Sequence, residues 1–139
     1  MTRVYVVGPA TVDAVTRGYL TAAGWADTYH GDDPDRSVTV DASGFTPASW
    51  ETARATVRDF LTGATLADAA RFAAATGCGA DGIGHDLWLT ANRHGAGFWD
   101  RGTGEIGDRL TVAAHAYGET AAWVDAAGEA HLDNDGWQG

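Results

Sequence analysis

The spacing of apolar residues changes once along this chain, and that change limits the folds open to it. Up to Gly77 the apolar positions recur at helical intervals, and after the glycine-rich stretch Gly77 to Gly84 they alternate as in a half-buried strand. A chain that is helical first and strand-forming second reads as α+β, with N-terminal helices packed on a small antiparallel sheet. Its 139 residues fit one domain, 1–139, with a mainly helical part over 1–77 and a ββαββ part over 84–133.

The best-marked helix start is Thr46-Pro47. Thr46 has the side chain of an N-cap and Pro47 suits the first helical position. Phe45 and Trp50 then stand at the two positions of a hydrophobic staple. Trp50, Ala53, Val57, Phe60 and Leu61 form one stripe, which Gly63 ends. A helix from Thr65 to Gly77 follows. Before these, Val4 to Val7 predicts a short strand, Thr11 caps a helix that Gly24 ends, and Val38 to Val40 predicts a brief strand. Later, Asp86 to Thr90 alternates and pairs back through the turn Asn92-Arg93-His94-Gly95 onto Gly97-Phe98-Trp99. A helix follows from Ile106 to Tyr117. A second hairpin joins Ala121–Val124 to Glu129–Leu132.

The densest stretch runs from Gly84 to Arg101. It interleaves glycines with His85, Asp86, Trp88, Asn92, His94, Phe98, Trp99 and Asp100. This Gly-His-Asp-Leu-Trp-Leu-Thr run, followed by His-Gly-Ala-Gly-Phe-Trp-Asp, resembles a family of small uncharacterised bacteriophage proteins, especially those of actinobacteriophages. The likeness continues through Gly104-Glu105, Gly107-Asp108, Leu110-Thr111, Ala116 to Glu119 and the final hairpin. It covers the C-terminal half well and the N-terminal half poorly. The family turn reads Arg-Asn-Gly-His, whereas here Ala91-Asn92-Arg93-His94 lacks the glycine. A left-handed backbone at Arg93 costs about 1 kcal/mol, so either the turn type differs or Asn92 takes that position. The resemblance implies a phage setting and no activity.

Charge narrows the functions. Nineteen acids face nine bases, all of them Arg, for a net charge of −10. Nucleic acid and anionic membrane surfaces are attracted by basic patches, so this balance argues against both as direct partners. No apolar run has the length of a membrane span, and the N-terminus does not read as a signal peptide, so a cytoplasmic location in the host cell is expected. The single cysteine, Cys78, excludes a disulfide within the chain and a multi-thiolate zinc site. No cofactor and no metal are expected.

Two functional readings remain. The first is a non-enzymatic phage accessory protein that binds and modulates or inhibits a host protein, such as a defence or nucleic-acid enzyme, through its acidic surface. From Leu110 to Gly139 there are five acids, Glu119, Asp125, Glu129, Asp133 and Asp135, and no Arg. These form the candidate face, with Arg93, Trp99, Arg101 and Trp137 as further contacts. The second reading is a small hydrolase or a ligand- or metal-binding domain built on His85, Asp86, His94 and Asp100, because imidazole with carboxylate holds a divalent ion and activates water. Against it, a His-Asp pair of the metal-phosphohydrolase kind sits on a helix with further ligands, and here it opens an expected strand. A hydrogen-bonded clasp between His85 and Asp100 across the hairpin end accounts for the same residues. The balance favours binding over catalysis.

Overall fold

The computed structural model describes residues 9–26 and 28–133. Five helices lie at Pro9–Ala26 (α1), Pro47–Phe60 (α2), Gly63–Thr76 (α3), Ala80–Ala91 (α4) and Glu105–His115 (α5). Four short strands lie at Thr28–His30 (β1), Asp33–Ser37 (β2), Ala122–Val124 (β3) and Ala130–Leu132 (β4). The protein is α+β, as expected, with helices first and a strand pair last. Among the described residues no helix is long and apolar enough to cross a membrane. The expected strand over Val4 to Val7 lies outside the described residues, as do Asp135 and Trp137.

The sheet runs in the order β2-β1-β3-β4. Its outer pairs are antiparallel and its central pair, β1 with β3, is parallel. It is therefore mixed rather than antiparallel throughout. A parallel pair needs a long crossover, and here α2 to α5 supply it.

The start of α2 forms as its residues dictate. The Thr46 hydroxyl accepts the Ser49 N–H at 3.1 Å, and the Trp50 indole donates to the Ala42 carbonyl at 3.1 Å. The Thr46 N–H reaches the Ala130 carbonyl at 3.0 Å, and the Ser49 hydroxyl accepts the Leu132 N–H at 3.1 Å. Helix α2 is thus moored to the outer edge of β4. Gly77 ends α3 in the left-handed conformation at φ 72°. Several helix boundaries differ from expectation: Thr11 lies inside α1 rather than capping it, Gly63 opens α3 rather than ending α2, and α5 runs from Glu105 to His115 rather than from Ile106 to Tyr117. α3 begins at Gly63 rather than Thr65, and Gly24 lies inside α1 instead of ending it. A Cβ on Gly24 would lie 2.2 Å from the Val40 carbonyl oxygen, so the glycine lets that strand-like segment lie against α1. The segment itself is not a strand; β1 and β2 precede it.

The largest departure is α4. Residues 86–90 are not a strand, and Phe98–Asp100 form a 3-10 turn, so the first expected hairpin and the ββαββ unit do not form. Asp86 through Ala91 are all buried. A helix covered on every side has no solvent face to impose a 3.6-residue period, so its apolar spacing carries no helical signal. Close packing also explains the glycines. A Cβ on Gly84 would stand 1.8 Å from the Val15 carbonyl oxygen, and one on Gly18 would stand 1.8 Å from that of Asp81. α1 and α4 cross with their backbones in contact at these two residues. Around them a single core gathers, including Leu20, Leu87, Trp88 and Leu110. Phe98 stacks on Phe60 at 5.8 Å and meets Phe72 edge-on at 5.2 Å.

Candidate binding face

Much of the motif from Gly84 to Arg101 is engaged within the fold. Both Asp86 oxygens are held by Arg101, at 3.0 and 2.8 Å. The Trp88 indole donates to the Thr120 carbonyl at 2.9 Å. The Thr90 hydroxyl accepts the Phe98 N–H at 3.1 Å, and Gly97 packs on that same hydroxyl. The Asn92 side-chain carbonyl accepts the Thr120 N–H at 2.7 Å. These bonds tie α4 to the turn after it and to the approach to β3. Arg93 takes the left-handed position at φ 56°, while Asn92 stays at φ −88°.

The four candidate catalytic residues fall in separate places. His85 and Asp86 do sit on a helix, but among the described residues no third ligand joins them. His85 faces the ring of Trp25 at 6.2 Å, beside a shallow depression with Val40 and Thr21. His94 lies after α4 with its ring 5.2 Å from that of Trp88. Asp100 is exposed in the 3-10 turn, and no clasp joins it to His85. Of the candidate contacts, Trp99 is exposed at 48%, Glu119 and Arg93 are exposed, and Arg101 is engaged by Asp86.

Three of the acidic candidates, Asp125, Glu129 and Asp133, come together at the outer face of the sheet. Alternation along each three-residue strand turns Thr28, Ala122, Val124, Ala130 and Leu132 into the core. It leaves Tyr29, Trp123 and His131 facing outward. The pairing register sets them side by side: Tyr29 opposite Trp123, and Trp123 opposite His131. The indole and imidazole stack at 4.3 Å, tilted by only 14°. Carboxylates border this aromatic row. The Tyr29 hydroxyl donates to Asp133 at 3.3 Å. Asp125 accepts from the backbone N–H groups of Ala127 and Glu129, and its other oxygen meets His131 Nε2 at 2.8 Å. The His131 bond and those N–H groups hold the Asp125 carboxyl below the usual range. Next to Trp123 a cleft of about 450 Å³ opens between β1 and the β3–β4 turn, lined by Tyr29, Gly31, Asp32 and Asp125 among others.

Among the described residues, Asp125, Glu129 and His131 form a group with metal-ligand geometry, their ligand atoms all within 4.8 Å. His85, Asp86, His94 and Asp100 form no such group. Charge counting found Asp125, Glu129 and Asp133, whereas Asp32 lies outside the counted stretch Leu110 to Gly139. The aromatic row was missed because Ala122-Trp123-Val124 is apolar throughout and does not say which side faces out. No family model, no curated protein and no solved structure matches this chain.

Proposed function

We propose that this is a non-enzymatic binding protein, a phage-encoded accessory factor that engages a basic surface of a host protein in the host cytoplasm. The observation that carries the reading is the outer sheet face, where Tyr29, Trp123 and His131 stand in register between Asp32, Asp125, Glu129 and Asp133. Aromatic rings provide contact area with few rotors to freeze. The carboxylates steer a cationic partner and repel nucleic acid. The phage resemblance supports a host target, and a defence or nucleic-acid enzyme with a basic groove has the complementary charge.

The test is affinity capture from host lysate with rising salt, run beside the triple variant Asp125→Asn, Glu129→Gln, Asp133→Asn. One stoichiometric partner with a basic surface, released by moderate salt and lost with the variant, is the expected result. Equal capture by the variant, or turnover of phosphoesters, nucleotides or peptides by the pure protein, overturns the proposal.

A further inference from the structure

The cleft beside Trp123 has the features of a slot for one planar cation. His131 covers one side of the indole and is not among the groups lining the cleft. Trp123 itself is one of the residues that line the cleft. Gly31, which also lines the cleft, lies close to the indole: a Cβ there would stand 2.9 Å from Trp123 Cε3 and 3.3 Å from Cζ3, so a side chain at this position would crowd the ring. The Gly31 N–H is fixed to the Val124 carbonyl at 2.9 Å, so the backbone has no room to retreat. Asp32 is exposed at the mouth and has no hydrogen-bond or ion-pair partner among the described residues. Asp125 on the opposite wall is ionised over a wider pH range than an ordinary carboxyl.

We infer that this cleft takes an arginine side chain of the protein partner, with its guanidinium against the Trp123 indole and its N–H groups toward Asp32 and Asp125. This rests on the binding function proposed above and specifies its central contact. A guanidinium is flat and weakly hydrated, so it stacks on an indole and donates to carboxylates at its edge. A lysine ammonium is compact and strongly hydrated. It satisfies the carboxylates yet gains less from the ring.

The experiment titrates the intact protein with three short peptides of equal length, built on arginine, lysine or citrulline. Binding is followed by calorimetry and by the Trp123 indole N–H resonance, assigned with Trp123→Leu. The arginine peptide is expected to shift that resonance and to bind roughly fivefold to tenfold more tightly than the lysine peptide. The citrulline peptide should not bind. Trp123→Leu should erase the arginine preference while leaving salt-sensitive attraction for both cationic peptides. Asp32→Asn, a change at an exposed side chain, should weaken the arginine peptide with no loss of fold. Equal affinity for arginine and lysine, or an arginine preference that survives Trp123→Leu, overturns the slot and leaves the acidic face intact as a binding surface. No binding of either cationic peptide overturns the slot as well. Lysate capture by the parent protein, compared with its triple carboxylate variant, then decides separately whether the face binds.

Discussion

Arg93 holds a conformation its side chain disfavours. Among the described residues it is the non-glycine residue with positive φ, at 56°. The strain is offset by the turn it closes, in which its N–H donates to the Thr90 carbonyl at 3.0 Å. Arg93→Gly should relieve the strain and raise stability by about 0.5–1 kcal/mol, less whatever extra freedom glycine gives the unfolded chain. Urea denaturation at neutral pH checks the sign. Asp125 makes a pH prediction at the same scale. Its carboxyl is depressed in the folded protein, so its contribution is present above the unfolded pKa and is lost as pH falls through the folded value. The β3–β4 turn should loosen in acid, below the ordinary carboxylate range. Asp125→Asn should remove that dependence, as read from amide exchange of Ala127 and Glu129 against pH.

At the scale of elements, the crossing of α1 on α4 sets the tolerance for substitution. Gly84→Ala places a methyl into the backbone of α1, and the two helices must separate to admit it. The expected loss is about 3 kcal/mol, at the upper end of overpacking costs. Gly95 belongs to the same dense motif but has open space around it and no positive φ. Gly95→Ala should therefore stay within about 0.5 kcal/mol of the parent. Thermal melts of the two variants, side by side, test whether the motif's glycines serve packing or ligand approach. Equal and small losses would rule out the packing account of Gly84.

At the scale of the molecule, the sheet closes over a long sequence separation. Thr28 to His30 pair in parallel with Ala122 to Val124, and the buried Trp88 indole depends on the carbonyl of Thr120. Truncation after Gly118 would strip β3 and β4, leave β1 without its central partner and orphan a buried donor. Such a chain should lose its cooperative thermal transition and its near-ultraviolet dichroism, although the N-terminal helices are intact in sequence. The binding face is a product of the same closure: Tyr29 and Trp123 meet because the crossover brings β1 beside β3.

What the amino-acid order determined by itself is local. Thr46 and Pro47 start a helix wherever they stand, because the cap bond and the fixed proline φ need only the next few residues. Gly77 stops one for the same kind of reason, and the last hairpin follows from its turn. The excess of acid over base, and the uneven placing of Asp125, Glu129 and Asp133, needed no structure either. Tertiary structure decided the rest. Residues 86–90 alternate as a strand would, yet they form a helix because burial on all sides removes the solvent face from which helical periodicity is read. Gly84 closed a glycine-rich stretch in the sequence but lies at a helix crossing, a role set by the backbone of α1. Trp123 faces outward only because its two neighbours are needed to cover the core, and that need exists only once helices and sheet have met.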